Sequence, residues 1–288
     1  VLNILPKLKG AYAFCVIAKK GSEIVGARNG CPLLVGLGTD ENFIASDVAA
    51  VMEHTKRVIY LNDFELAAIT KSNVNIFNFQ GQELFPPIKT IDWNLEQAQK
   101  QGYKHFMMKE IMEQPRVVED SLRVPIHLEK NFSSIIIVAC GTASYAGLVG
   151  KYLIESIAKI PVTVETASEF RYKEPLFSSN DLVVAISQSG ETADTLAAVR
   201  LAKKHGAKTL GIINVMDSTI AREVDDVIYT RAGPEIGVAS TKAFMTQLIT
   251  LYKIAFHLAG KEFPEINIAS MIEKTLALDE EIRGLAEK

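Results

Sequence analysis

Leu182-Val183-Val184-Ala185-Ile186, then Ser187-Gln188-Ser189-Gly190-Glu191-Thr192, then the run to His205, is the stretch on which the fold turns. Five consecutive apolar residues without polar alternation read as a strand covered on both faces, the habit of parallel sheets. The spacing from Thr192 to His205 predicts a long helix, closed by Lys203-Lys204-His205, whose charges suit a helix C-terminus. The hexapeptide between them gathers three hydroxyls, an amide side chain and a glycine where a helix leaves its first N–H groups unpaired. Two readings stand open: a site for an anion such as a phosphate ester, or simple helix capping.

Outward from this stretch the same unit recurs. Ile135–Ala139 feeds Gly141 and a helix through Ile157; Val162–Thr166 precedes a helical Ala167–Tyr172; Thr209–Val215 and Asp226–Thr230 are further strands; Ser240–Ala259 is a long amphipathic helix. Five buried strands alternating with helices imply an α/β fold with a doubly wound parallel sheet, whose ligands sit beyond the carboxyl ends of the strands. Upstream, Lys104–Gln114 reads as a helix halted by Pro115, Glu119–Leu128 is ambiguous, and the stretch with Pro86-Pro87 reads as a linker over 81–103. Residues 1–80 read differently. Gly10–Ala18 is expected to be a buried strand, and Ile24–Ala27, Leu33–Gly36, Arg57–Leu61, Glu65–Ile69 and Val74–Phe77 further strands. Phe43–Asp47 is expected to lead into a short apolar helix through Met52, and the whole to form a mainly antiparallel β layer.

Composition narrows the classes. The 288 residues carry 31 Lys+Arg against 34 Asp+Glu, a net charge of −3, so there is no basic footprint for nucleic acid. The longest apolar runs, Ile135–Cys140 and Leu182–Ile186, are too short to span a bilayer. Three dispersed cysteines (Cys15, Cys31, Cys140) and five scattered histidines offer neither a disulfide framework nor metal-ligand spacing, which fits a reducing cytoplasm. The chain opens at Val1-Leu2-Asn3 without Met or a signal sequence, so further sequence in front of it is expected.

Two more loops echo the first. Gly141-Thr142-Ala143-Ser144 places two hydroxyls at a helix start, and Gly237-Val238-Ala239-Ser240-Thr241-Lys242 opens another helix, with Lys242 directed either at an anion or at water. Glu191 and Lys242 are the only acid–base candidates near these loops. A sugar-phosphate or nucleotide enzyme and a phosphosugar-sensing binding module therefore both remain open.

Ser187-Gln188-Ser189-Gly190-Glu191-Thr192-Ala193-Asp194-Thr195-Leu196 resembles the phosphate loop of sugar isomerase (SIS) domains, and more narrowly that of the glucosamine-6-phosphate synthase family of glutamine:fructose-6-phosphate amidotransferases. Cys140-Gly141-Thr142, Ala167–Tyr172 (ASEFRY), Glu235–Phe244 (EIGVASTKAF) and Lys109–Pro115 (KEIMEQP) agree with it. Ala27–Leu33 and Glu41–Asp47 resemble the closing part of the family's N-terminal-nucleophile glutaminase domain. The resemblance implies a partial α+β glutaminase region over 1–80, the linker, and a first SIS domain over 104–288. It implies an enzyme that makes glucosamine 6-phosphate and glutamate from fructose 6-phosphate and glutamine, without cofactor or metal, in the cytoplasm, and as a homodimer. Thr142, Ser187, Gln188, Ser189 and Thr192 match phosphate and sugar contacts; Val238, through its backbone, and Ser240 match residues around the sugar. Ala143 stands where many members have serine, a hydroxyl that Ser144 is placed to replace. No residue here matches the family's nucleophilic cysteine or its sugar-chemistry lysine, histidine and glutamate, so the isolated chain is expected to be inactive.

Overall fold

The computed structural model describes residues 1–91, 100–174, 176–178 and 180–278. It divides into two compact units, Val1–Ala98 and Gln99–Lys288. Residues 92–99 of the expected linker, and 279–288 at the end of the expected SIS region, lie outside the described residues.

The first unit holds β1 (Tyr12–Ile17), β2 (Ile24–Asn29), β3 (Leu34–Leu37), β4 (Asn42–Ala45), β5 (Arg57–Tyr60), β6 (Glu65–Ile69), β7 (Val74–Asn78), β8 (Glu83–Leu84) and β9 (Lys89–Thr90). They form two antiparallel sheets rather than one layer, in the orders β1-β2-β6-β7-β8 and β4-β3-β5-β9. Val35 and Ile59 from one sheet pack with Ala67, Ile69 and Ile76 from the other, the interdigitated core of a sandwich. β8 and β9 fall within the segment read as linker, yet pair with β7 and β5. The short helix expected before Met52 is a single 3-10 turn at Val48–Ala50, begun by Asp47, whose carboxylate accepts the Ala49 N–H at 2.7 Å.

One expectation fails here. β1 is not buried: among the described residues it pairs with β2 alone, at the sheet edge, and Val16 and Ile17 are 41% and 70% exposed. Apolar composition reports which residues seek cover, not whether a neighbour stands beside the strand.

The second unit begins with two helices where one was expected, α1 (Phe106–Met112) and α2 (Gln114–Leu122). Pro115 sits in the first turn of α2, where its missing N–H costs nothing, so the proline starts a helix as well as ending one. Then follow β10 (Ser134–Ala139), α3 (Thr142–Ile157), β11 (Val162–Thr166), α4 (Ala167–Phe170), β12 (Asp181–Ser187), α5 (Ala193–Lys204), β13 (Lys208–Ile213), α6 (Thr219–Glu223), β14 (Asp226–Tyr229), α7 (Lys242–Leu258) and α8 (Ile268–Leu278). The five strands form one parallel sheet, β11-β10-β12-β13-β14, as expected for a SIS-type fold.

Both sheet faces are covered. Ile135, Ile137, Leu182, Val184, Leu210 and Ile212 pack with Ala146 and Ile154 of α3 and Leu251 and Ile254 of α7. Val183 and Ala185, one residue out of phase, pack with Leu196, Ala198, Val199 and Ala202 of α5. The chain thus leaves β10 toward one face and β12 toward the other. The carboxyl ends of these neighbours mark the topological switch point, where such sheets open a crevice.

Asp181 anchors the amino end of β12. Its carboxylate accepts the Ser178 N–H at 2.7 Å and the Ser134 hydroxyl at 2.8 Å, tying β12 to β10. Burial is the largest influence on this carboxyl and pushes it up, but the hydrogen bonds together outweigh it and hold the group below its ordinary 3.8. The folded chain therefore binds this proton less readily than the unfolded chain, and the stabilisation is present above 3.8 and lost as pH falls below it. Asp181→Asn is expected to lower stability by about 1.5–3 kcal/mol near neutral pH, the worth of hydrogen bonds to a charged group. In urea titrations repeated at about pH 3, the gap between the two proteins should narrow.

Candidate functional site

The hydroxyls of the β12–α5 loop are engaged with the loop itself. Ser187 Oγ accepts the Gly190 N–H at 3.0 Å and lies 3.0 Å from Thr192 Oγ1, so the first and last residues of the turn are linked through side chains. Ser189 Oγ accepts the Glu191 N–H at 3.1 Å. The Gln188 carbonyl accepts N–H bonds from both Asn214 and Val215, each at 3.2 Å, and so fixes the loop to the end of β13. Gly190 turns at φ 67°, and a Cβ there would lie 1.9 Å from Ser218 Oγ and 2.9 Å from Ile213 Cγ2. Both the backbone angle and the space require glycine.

Glu191 braces the loop from the other side: its Oε1 accepts the Thr219 N–H at 2.7 Å, at the start of α6. Thr192 occupies the N-cap of α5 without capping it by its side chain. Arg171, just past α4, pairs with Asp194 in the first turn of α5 at 2.7 Å. The capping reading of the three hydroxyls is therefore not the geometry found, since their bonds close the loop rather than the helix.

Beside it, the β10–α3 loop leaves the neighbouring strand end. Gly141, at φ 57° and ψ −136°, precedes α3 without a side-chain cap; Thr142 is exposed, and Ser144 Oγ donates to the Gly141 carbonyl at 2.7 Å. The paired register of Ala139 with Ile186 sets the loop with Thr142 and Ser144 at the same carboxyl end of the sheet as Ser187 and Gln188.

The third loop is built otherwise. Glu235 caps α7 from a distance in sequence: its carboxylate accepts the Thr241 N–H at 2.8 Å, the Ala243 N–H at 3.1 Å and the Ser240 hydroxyl at 2.9 Å. Val238, at the tip, is fully exposed. Lys242 does not face water; the anion it meets is a carboxylate of the chain itself. It is 0% exposed, and its ammonium donates to Glu113 Oε2 at 2.6 Å, with Lys109 on the other carboxylate oxygen at 3.5 Å. Glu110, 1% exposed, accepts the Ile236 N–H at 2.6 Å and the Gly237 N–H at 3.1 Å. Burial pushes the Glu110 carboxyl above its ordinary value, against the pull of those two N–H bonds.

Glu110, Glu113, Asn214 and Glu235 were not among the residues singled out by sequence. Glu235 alone had a local signal, a carboxylate a few residues ahead of an uncapped helix. Glu110 meets its partners across more than a hundred residues, and no spacing rule reaches that far.

The SIS domain family matches residues 129–257. The glutamine–fructose-6-phosphate aminotransferases of Clostridium tetani and Aquifex aeolicus are each 45% identical to this chain over its whole length, which spans 52% and 51% of theirs. Among solved structures, the C-terminal domain of glucosamine-fructose-6-phosphate aminotransferase from Francisella tularensis aligns with a TM-score of 0.55 at 43% identity, over 61% of this chain and 54% of that one. The chain spans about half the length of the curated relatives it matches. Residues 129–257 are a SIS domain, carried in a chain similar from end to end to about half of a glutamine–fructose-6-phosphate aminotransferase.

Proposed function

We propose that the loops at the carboxyl ends of β10 and β12 hold the phosphate of fructose 6-phosphate, within an amidotransferase that converts this sugar and glutamine into glucosamine 6-phosphate and glutamate. Thr142, Ser187, Gln188, Ser189 and Thr192 contact the phosphate and sugar, Ser144 standing in for the hydroxyl absent at Ala143. Val238 and Ser240 border the sugar. Glu191 and Lys242 serve as braces. One observation carries this reading: α7 has its first N–H groups satisfied by Glu235, whereas Thr192 at the head of α5 is turned onto Ser187 and caps nothing. Uncapped N–H groups and the positive end of the helix dipole, placed at the switch point of the sheet, suit a phosphate dianion.

The same proposal includes a homodimer formed through the SIS domain and a cytoplasmic location. Tyr145, Leu148, Val149 and Tyr152 give α3 an exposed apolar stripe at helical spacing, which supports a partner on that face. Three free thiols support a reducing compartment, and no helix among the described residues is long and apolar enough to cross a membrane.

Fructose 6-phosphate at about tenfold its Kd should raise the melting temperature of this chain by roughly 3–6 °C, since ligand bound only to the folded state stabilises it by mass action. Fructose should give no shift, and Ser189→Ala should remove at least half of it. An unchanged melting temperature at saturating sugar phosphate would overturn the proposal. The chain alone is expected to bind without turnover.

A further inference from the structure

The 235–241 loop is held at both ends by carboxylates while its tip stands in solvent. At the far end Glu235 gathers Ser240, Thr241 and Ala243, as described above. At the near end there is no secondary structure to receive the backbone, and the Ile236 and Gly237 N–H groups go to one buried carboxylate, that of Glu110 on α1. The approach leaves no slack: a Cβ on Gly237 would lie 2.5 Å from Glu110 Oε2 and 3.5 Å from the Met107 Cα. α1 is itself fixed to the start of α7, because Glu113, at the end of α1, holds Lys242. A helix remote in sequence thus sets where the backbone of Val238 stands, and the bonds made here by Glu110, Glu113 and Glu235 do not include the β12–α5 loop.

We infer that Glu110 is a positioning residue for the sugar end of the site: it sets the height of the 236–239 backbone over the bound sugar, and so governs discrimination between a hexose phosphate and bare phosphate. This rests on the proposed function, in which the 187–192 loop takes the phosphate and the 238–240 region borders the sugar. Two grips on one ligand, built from separate supports, should be separable by mutation. A structural role alone would lower both affinities together.

Titration calorimetry on the whole chain, with fructose 6-phosphate and with inorganic phosphate, reads the two grips separately. Glu110→Ala should weaken fructose 6-phosphate binding at least tenfold and leave inorganic phosphate within about twofold. Glu110→Gln, which keeps one acceptor oxygen for the two N–H groups, should recover most of the loss. Gly237→Ala reaches the same contact from the loop side without removing a buried charge, and should reproduce the selective loss; it decides the matter if Glu110→Ala does not fold. Equal weakening of both ligands, or no change in either, overturns the inference. A parent chain that binds neither ligand overturns the proposed function instead.

Discussion

Gly190→Ala is expected to abolish sugar-phosphate protection and to lower the melting temperature of the chain by roughly 4–20 °C. Two costs add. At φ 67° a Cβ meets the backbone clash that makes left-handed conformations unfavourable by about 1–2 kcal/mol. The same Cβ would stand 1.9 Å from Ser218 Oγ and 2.6 Å from Ser218 Cβ, and relieving such overpacking typically costs about 1–3 kcal/mol. Together these give roughly 2–5 kcal/mol, which at about 2–4 °C per kcal/mol for a domain of this size yields the stated range. The loop would move away from Ser218, breaking the bond from the Gly190 N–H to Ser187 Oγ and the one from the Ile220 N–H to the Gly190 carbonyl. Combining it with Ser218→Gly should return part of the stability, because the steric share is relieved and the backbone share is not. Differential scanning calorimetry with and without fructose 6-phosphate reads both effects, and a Gly190→Ala protein that melts and binds like the parent would sink this account of the loop.

The second large effect lies in the buried charges behind α7. Glu113→Leu should destabilise the chain by about 3–5 kcal/mol, the usual result of removing one partner from a buried ion pair. Lys242 is 0% exposed and would lose the carboxylate that now accepts from its ammonium at 2.6 Å. Burial lowers the Lys109 amine below its ordinary 10.5, and Glu113 is the main influence opposing that shift, so the substitution should lower it further. Adding Lys242→Met should recover only part of the loss: it removes one of the two buried ammonium groups that Glu113 serves, while Lys109 still lacks the carboxylate. Urea denaturation of the two single variants and the double variant gives the coupling directly. If Glu113→Leu alone is neutral, the pair does not hold α1 to α7.

These two cases also show what can be read from sequence. The run Leu182–Ile186 announced a strand buried on both faces because nothing but coverage explains five apolar residues without alternation, and β12 is buried throughout. The glycine-and-hydroxyl loop that follows it was legible because the bonds of its three hydroxyls span five residues or fewer. Lys242 was misread for the opposite reason. A lysine opening a helix is ordinarily solvated, and the glutamate that buries it lies 129 residues upstream. Pro115 misled in a milder way, since the same fixed φ that ends one helix begins the next. α6 and α8 went unforeseen. α6 is only five residues long and is placed by contacts to Gly190 and Glu191 rather than by its own periodicity.

The difference between the two grips has a consequence for inheritance. The 187–192 loop takes its outside supports from one contiguous stretch, the end of β13 and α6, so a segment running from Asp181 to Glu223 would carry the proposed phosphate cradle whole. The 235–243 segment brings no such independence: moved without 106–113, it would keep Glu235 but lose the Glu110 and Glu113 carboxylates that hold its near end and Lys242. Chimaeras between relatives should therefore tolerate exchange of the first segment alone and reject exchange of the second unless α1 travels with it. If the proposed function holds, phosphate recognition is portable across sheets of this kind, and recognition of the sugar has to be inherited as a matched pair of distant pieces.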